Sequence, residues 1–242
     1  MVDYLENIEY PKWHFIGSKH SIWPWISKNI DFNYTTVLDL FGGTGVISHG
    51  FRLLEKKVFY NDFLIHLQFI ASGLLQSDYT HYIDDNTLQS ILNSSESKST
   101  NHFFKDNFSN IYFFPDEAIW IDQVYTNIQS NSIDQIQKYI LFFALTQAIL
   151  KKRPFHTFHG SFLNLRLKKR QEPQTWDLDM NVTFKQTINS VNTYLQQLPQ
   201  QLEKVKISGY QASKTKPEMI TNHQIDLVYL DPPFISNKKK RT

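Results

Sequence analysis

The chain has 242 residues, of which 41% are hydrophobic and 20% charged, and this combination suits one large folded domain or a domain with an insertion. The formal net charge of +2 is too small to indicate a nucleic-acid partner by itself, so any contact with phosphates must come from local basic clusters. The absence of cysteine excludes disulfide bonds, thiolate zinc sites and a cysteine nucleophile.

Residues 1–6 lack the basic and apolar regions of a signal peptide, and no apolar run reaches the ~18–20 residues that a membrane span requires. The longest apolar candidate, residues 139–150, is interrupted by Thr146 and Gln147 and fits a buried helix. We therefore expect a cytoplasmic protein.

The first candidate functional segment lies within residues 10–30, where aromatic residues flank Gly17-Ser18-Lys19 in the sequence. Apolar residues follow at near-helical spacing, and Ser18 is predicted to cap the helix that they form. Two interpretations of Lys19 stay open. It is either a solvated lysine near a helix packed on a sheet, or a cation placed against a carboxylate or a base, with Phe15 against an aromatic ligand.

Residues 36–48 are predicted to form a short apolar strand, a glycine-rich turn and the start of a helix. The segment 38–45, Leu-Asp-Leu-Phe-Gly-Gly-Thr-Gly, has the layout of a nucleotide-binding α/β turn, in which the backbone approaches a ligand at a helix N-terminus. It lacks the Gly-Lys-Ser/Thr of a P-loop, and Ser48 stands where a dinucleotide fingerprint starting at Gly43 needs glycine. The pattern disfavours a diphosphate and favours a ligand with an adenosine but no phosphate, of which S-adenosylmethionine is the common one.

The second strand is predicted over residues 57–61 and ends in Asp62, about 20 residues beyond the glycines. A carboxylate at this interval commonly accepts hydrogen bonds from ribose hydroxyls. We assign that role to Asp62.

From about residue 76 to 135 the composition changes: the polar run 93–101 is predicted to be an exposed loop between aromatic-rich stretches. A helix is predicted to start near Pro115, which two acids follow, and a second helix to run from Ile133 to Leu150. This part of the chain is predicted to be an inserted helical unit.

The segment 151–170 interleaves basic residues with aromatics, hydroxyls and asparagine. Cations can pair with phosphates, while Asn, His and aromatic side chains can contact base edges and faces. The alternative is a helix C-terminus with favourable cations followed by a solvated loop. His156 and His159 have no carboxylate at metal-ligand spacing nearby, and we assign no metal. The predicted nucleic-acid-binding residues are Lys151, Lys152, Arg153, Asn164, Arg166, Lys168, Lys169 and Arg170.

Three further elements are predicted near the end of the chain: a Gln/Asn-rich helix over 188–202, a strand over 204–208 and a buried strand over 226–230. The last strand delivers Asp231 to the edge of a sheet, and two prolines fix the backbone after it.

Asp231-Pro232-Pro233-Phe234 suits a planar amino group attached to a heteroaromatic ring. Such an amine is a weak nucleophile because its lone pair is delocalised. The Asp231 carboxylate and the Pro232 carbonyl can each accept one N–H, while Phe234 stacks on the ring. The plainer alternative is a strand that ends in a proline-stiffened turn.

In this order, the motifs resemble those of the amino-methylating adenine-specific DNA methyltransferases. The resemblance runs from about Tyr10 to Phe234 and is carried by residues 15–19, 38–45 and 228–234. It implies a Rossmann-like α/β sheet that binds S-adenosylmethionine, an inserted helical target-recognition region, and double-stranded DNA as partner. The domains expected on this basis are a cofactor-binding half over 1–75, the inserted region over 76–185, and a return to the methyltransferase domain over 186–242.

The resemblance also implies the site. Asp231 to Phe234 would hold a flipped-out adenine while the methyl group passes directly from the sulfonium to the amino nitrogen. Two departures stand out: Phe234 replaces the more usual tyrosine, and no acid follows Ile207 for the cofactor's adenine amine, where Tyr210 or a backbone group would substitute. The implied cofactor-binding residues are Phe15, Lys19, Asp39, Phe41, Gly43 and Asp62.

The sheet of this family continues after the Asp-Pro-Pro motif, whereas only residues 235–242 follow it here. We therefore expect an incomplete sheet in which the strand before Asp231 is an exposed edge. The hypothesis is a truncated product that is inactive alone, or half of a split enzyme whose second polypeptide completes the sheet. A DNA- or cofactor-binding remnant without turnover, and an amino-methyltransferase acting on RNA or on a protein side chain, stay open as alternatives.

Overall fold

The computed structural model of the protein describes residues 8–12, 18–93, 102–168, 172–211 and 222–232, apart from the side chain of His156. The strands in these ranges are β1 (Thr36–Asp39), β2 (Lys57–Asn61), β3 (Lys206–Ser208) and β4 (Leu227–Tyr229). The α-helices are α1 (Trp23–Lys28), α2 (Val46–Leu53), α3 (Ile65–Leu75), α4 (Asp85–Asn93), α5 (Phe103–Phe108), α6 (Pro115–Ser130), α7 (Gln135–Lys151), α8 (Leu163–Arg166) and α9 (Met180–Gln197). Short 3₁₀ segments lie at Tyr79–His81, Pro154–His156, Gly160–Phe162 and Thr175–Asp177.

The chain divides into two compact units. The sheet unit comprises residues 1–7, 17–71 and 201–242, and the helical unit comprises residues 8–16 and 72–200. The helical sequence is therefore inserted between the second and third strands of the sheet, since β2 precedes it and β3 follows it.

The domain limits predicted from the sequence differ from these units in two respects. The limit placed after residue 185 falls inside α9, which is one continuous helix. The helical unit also includes residues 8–16, which the sequence analysis assigned to the cofactor-binding half.

The sheet unit contains a four-stranded parallel sheet with the strand order β3-β2-β1-β4. Val37 lies opposite Leu227, and Asp39 lies opposite Tyr229. Because every pairing is parallel, the carboxyl ends of the strands meet at the same edge of the sheet. This confirms the predicted α/β fold with a parallel sheet, and β4 lies at the outer edge of the part of the sheet that the structure describes. The predicted incompleteness of the sheet stays a prediction.

The core of the sheet unit forms where α2 packs on β1 and β2. Phe51 of α2 is fully buried, and its ring meets Trp23 edge-on with 5.0 Å between centroids. A Cβ atom at Gly50 would lie 2.1 Å from the Trp23 ring, so only glycine admits this approach. Full burial of a phenylalanine side chain stabilises a fold by about 1.5–3 kcal/mol. The Phe51–Trp23 contact therefore packs α1 against α2, and α2 packs on the strands whose ends form the site.

The helical unit is built around α7 and α9, which pack against each other and bury Phe143, Phe184 and Ile188 completely. Side-chain caps define where both helices begin. Asp134 accepts a hydrogen bond from the N–H of Ile136 at 2.7 Å, and Asp179 accepts from two N–H groups of the first turn of α9.

Some predicted element limits are wrong for identifiable reasons. The helix predicted to start at residue 188 starts at Met180, because Asp179 caps it. Ser18 does not cap the first described helix, which begins at Trp23 after Ile22 with Pro24 in its first turn. The start of α6 at Pro115 and the strand over 57–61 are confirmed.

Most of the predicted loop 93–101 lies outside the described residues. Among the helices that the structure describes, none combines the length and the apolar character needed to cross a membrane.

Candidate active site at the carboxyl ends of the strands

Asp39 ends the central strand β1 and is 1% exposed. Its Oδ2 accepts a hydrogen bond of 2.8 Å from the hydroxyl of Ser48 on α2, while its buried Oδ1 has no hydrogen-bond partner among the described residues. Burial raises the pKa of Asp39 to about 7; the Ser48 hydrogen bond acts to lower it, and the charges of Asp62 and Asp231 raise it further. A buried carboxylate oxygen without a donor is a place for a ligand that brings a donor or a positive charge.

The glycine-rich turn lies directly after β1 and ends in α2. Gly43 and Gly45 have φ angles of 52° and 77°, in the left-handed region that favours glycine, and Gly45 is the N-cap residue of α2. A Cβ atom at Gly42 would lie 2.1 Å from the ring of Tyr60, whose hydroxyl donates to the carbonyl of Gly43 at 2.9 Å. The tyrosine under the turn thus requires glycine above it.

Asp62, the first residue after β2, is hydrogen-bonded to this turn. Its Oδ2 accepts from the N–H of Gly43 and its Oδ1 from the N–H of Leu64, each at 2.9 Å. The carboxylate is therefore held in one orientation beside the turn, and each oxygen keeps a second lone pair for a hydroxyl of a ligand.

Asn61, which the sequence analysis assigned no role, joins the ends of three strands. Its side-chain N–H groups donate to the carbonyls of Leu40 and Tyr210, each at 3.0 Å. Its oxygen accepts from the Ser208 hydroxyl and from the N–H of Tyr210, each at 2.9 Å. The backbone N–H of Tyr210 is thus already bonded, and the part of Tyr210 that is available to a ligand is its side chain, since the residue is 51% exposed.

Lys19 forms an ion pair with Asp231 through Oδ2 of the carboxylate. The two side chains are 19% and 26% exposed. Of the two interpretations of Lys19, the structure therefore shows the cation placed against a carboxylate. Next to this pair, burial and the charges of Asp231 and Asp39 raise the pKa of Tyr229 to about 12, so its hydroxyl stays protonated at neutral pH.

Asp226, the residue before β4, aligns this strand with β1. Its Oδ2 accepts from the N–H groups of Thr35 and Thr36 at 2.8 and 2.9 Å, and these hydrogen bonds lower the pKa of Asp226. Its own N–H donates to the carbonyl of Thr36 at 3.0 Å. This alignment determines that Asp231 follows β4 on the same sheet edge as Asp39, and the sequence analysis counted Asp226 only as a strand residue.

The structure brings five of the predicted site residues together at this sheet edge. They are Lys19, Asp39, Gly43, Asp62 and Asp231. Of the other predicted site residues, Phe41 is half-buried in the turn, and Pro232 is exposed after Asp231. Phe15, Pro233 and Phe234 lie outside the described residues.

In the helical unit, two of the predicted nucleic-acid-binding residues are buried. Lys152 and Arg166 both pair with Glu117, and the side chains of Lys152, Arg166 and Glu117 are 6%, 3% and 10% exposed. Lys152 also donates to the carbonyls of Trp176 and Leu178 at 3.1 and 2.6 Å. Burial argues against a phosphate contact by either cation, so the sequence interpretation of Lys152 and Arg166 is corrected: they hold the fold together.

The other predicted nucleic-acid-binding residues differ in exposure. Asn164 and Lys168 are exposed, and Lys151 is half-buried. Arg153 is half-buried over the ring of Phe158, with 5.8 Å to the ring centroid, and burial lowers its pKa. Lys169 and Arg170 lie outside the described residues.

A parallel α/β sheet with a glycine turn and carboxylates at the ends of β1, β2 and β4 belongs to the class of Rossmann-like methyltransferases. Residues 15–242 match the family described as D12 class N6 adenine-specific DNA methyltransferase, and the chain belongs to this family. The protein is therefore a transferase that methylates adenine in DNA, as predicted, and it requires a methyl donor.

The chain is also similar to the Type II methyltransferase M2.HphI of Haemophilus parahaemolyticus. The two are 26% identical over 245 residues, which cover 95% of this chain and 68% of the relative. No solved structure gives a significant match.

Proposed function

We propose that the protein transfers the methyl group of S-adenosylmethionine to the exocyclic N6 of an adenine at a specific site in double-stranded DNA. The observation that carries this proposal is the convergence of Asp39, Asp62 and Asp231 at one edge of the sheet, beside the glycine turn. Each carboxylate has a separate task.

Asp39 and Asp62 suit the two polar ends of the donor. Oδ1 of Asp39, buried and without a partner among the described residues, suits the ammonium of the methionine moiety. Asp62, held by two backbone N–H groups, suits the ribose hydroxyls. The absence of a side chain at Gly43 leaves the turn open, and Phe15 and Phe41 would contact the rest of the donor by resemblance. When bound, S-adenosylmethionine supplies an electrophilic methyl group on a sulfonium.

Asp231 acts on the target amino group. Lys19 pairs with Oδ2 of Asp231, so that Oδ1 can accept an N–H of the adenine amine. The carbonyl of Pro232 accepts the second N–H, which turns the nitrogen lone pair towards the methyl group. Phe234 stacks on the base. With the donor bound, the amine nitrogen would bond to the methyl carbon as the carbon–sulfur bond breaks, which leaves a neutral thioether, and Oδ1 of Asp231 would accept the surplus amine proton.

DNA is held by the part of segment 151–170 that remains available. Lys151, Arg153 and Lys168 supply cations for phosphates, together with Lys169 and Arg170, which follow Lys168 in the sequence, and Asn164 can contact base edges. Lys152 and Arg166 are not part of this proposal.

The test is transfer of labelled methyl from S-adenosylmethionine to duplex DNA, with calorimetric donor binding measured on the same samples. We expect label in N6 of adenine, its loss in Asp231→Ala, and donor affinity in that variant within about threefold of wild type, because Asp231 faces the amine. Asp177→Ala, an exposed carboxylate of the helical unit, is the matched control.

Each outcome of this test decides between the functions. Label in RNA but not in DNA would replace the proposed substrate. Donor binding without transfer to either would indicate a remnant or a missing polypeptide. Full activity of Asp231→Ala would refute the role of Asp231.

A further inference from the structure

Ser48 is completely buried and donates its hydroxyl to Asp39 at 2.8 Å. It lies in the first turn of α2, three residues after the glycine N-cap, while the other oxygen of Asp39 has no partner among the described residues. In the sequence, Ser48 stood out only because a dinucleotide fingerprint needs glycine at this position. The structure gives the serine side chain a definite contact.

We propose that Ser48 is a positioning residue for the methyl-donor site: its hydroxyl fixes Oδ2 of Asp39 and leaves Oδ1 as the acceptor for the cationic amino group of the donor. This inference rests on the proposed function. Ser48 does not touch the donor, and its effect passes through Asp39 alone.

The charges around Asp39 explain why the carboxylate needs this support. Asp62 at the end of β2 and Asp231 after β4 both oppose its ionisation, and the protonated hydroxyl of Tyr229 adds no charge. The Lys19 cation is paired with Asp231. Burial is the largest effect that raises the pKa of Asp39, and the Ser48 hydrogen bond opposes it.

Removal of the hydroxyl should therefore favour the protonated form of Asp39. A hydrogen bond to a charged acceptor corresponds to about a tenfold change in an acid equilibrium. With the carboxyl half-protonated near pH 7 in the wild type, Ser48→Ala should weaken donor binding about fivefold at pH 7. At pH 9 both proteins hold Asp39 ionised, so the difference should disappear.

The test compares Ser48→Ala, Ser48→Thr and wild type by calorimetry between pH 6 and pH 9. Two probes separate the ends of the donor: S-adenosylmethionine carries the amino-acid end with its ammonium, whereas methylthioadenosine keeps the adenosine but lacks that end and the sulfonium charge. We expect Ser48→Ala to bind S-adenosylmethionine about fivefold more weakly at pH 7 but normally at pH 9, and methylthioadenosine normally throughout. Ser48→Thr keeps the hydroxyl and should resemble the wild type.

A readout without ligand is the pKa of Asp39 in the free protein, followed by its carboxyl carbon resonance, which should rise in Ser48→Ala. Ser77→Ala is the matched control, since it removes another fully buried hydroxyl, one that donates to the carbonyl of Leu74 at 3.1 Å. Equal loss at both pH values, equal loss for both probes, or an unchanged pKa of Asp39 would overturn the inference. Wild type that binds no S-adenosylmethionine at any pH would instead refute the proposed function.

Discussion

Replacement of Glu117 by glutamine tests the buried ion pairs that Glu117 forms with Lys152 and Arg166 in the helical unit. Glu117 is the single anion between Lys152 and Arg166, so the three buried side chains carry a net charge of +1. Glu117→Gln keeps the shape of the side chain and its ability to accept from the N–H of Phe114, a bond of 3.0 Å in the wild type. It removes the negative charge and leaves two buried cations side by side.

The magnitude follows from this charge balance. Loss of the central partner of a buried ion pair costs about 3–5 kcal/mol, because the remaining charges stay buried without compensation. Lys152→Met leaves a neutral Glu117–Arg166 pair and two carbonyls without their donor, which costs only about 1–3 kcal/mol. The glutamine variant should therefore be the less stable of the two, although both substitutions remove one charge.

The pH dependence gives an independent signature. Burial acts to raise the pKa of Glu117, but the hydrogen bonds and charges of Arg166 and Lys152 outweigh it and leave the pKa lowered. For a carboxyl whose pKa is lowered by folding, the stabilisation is present above its unfolded value of 4.5 and is lost as the pH falls through the folded value. The difference in stability between wild type and Glu117→Gln should therefore shrink below pH 4.5.

Urea unfolding at pH 7 and at pH 4 measures these free energies. Asp116→Asn, an exposed acid in the same first turn of α6, is the control and should cost less than about 1 kcal/mol. The reasoning is refuted if Lys152→Met costs more than Glu117→Gln, or if Lys152→Met reduces the salt dependence of DNA binding. The second result would return Lys152 to the phosphate-binding surface.

Two further predictions concern the glycine turn and the DNA-binding segment. Gly42→Ala should lower the free energy of unfolding by about 1–3 kcal/mol and weaken donor binding, because the added methyl group would meet the Tyr60 ring. Urea unfolding measures the first effect and calorimetry the second, and a variant with wild-type stability and donor affinity would contradict this packing. Lys168→Met should lower the slope of log duplex affinity against log salt concentration by about one, as measured by fluorescence anisotropy. The control Lys12→Met removes an exposed cation paired with Glu9 and should leave the slope unchanged. Equal slopes for Lys168→Met and wild type would place the phosphate contact elsewhere.

The sequence was informative where the structure depends on neighbours along the chain. Glycine at positions 42, 43 and 45 predicts the turn because the backbone conformations or close contacts there exclude other residues, and Pro115 predicts the start of α6. Asp179 is the N-cap residue of α9, but the Gln/Asn-rich composition on which the helix prediction rests lies inside the helix and does not indicate where it begins.

Contacts between distant residues could not be predicted in this way. Asp226 meets Thr35 across 191 positions, and Asn61 meets Tyr210 across 149. The sequence of a basic segment does not distinguish a lysine or arginine that faces solvent from one that pairs with a buried glutamate. The partner can be distant in the chain, since Glu117 lies 49 positions before Arg166. Periodicity and spacing describe one element at a time, whereas these pairings depend on how elements meet.

The insertion of the helical unit between β2 and β3 has a consequence for synthesis. The ribosome delivers β1 and β2 early, but β4 is made about 190 residues after β1, so closure of this sheet has a very high contact order. The helical unit, apart from its short N-terminal segment, is contiguous in the chain and is complete before β3 appears. Asp39 and Asp231 can meet only after β4 has been made and has paired with β1, so the proposed site cannot assemble before residues 226–231 have left the ribosome.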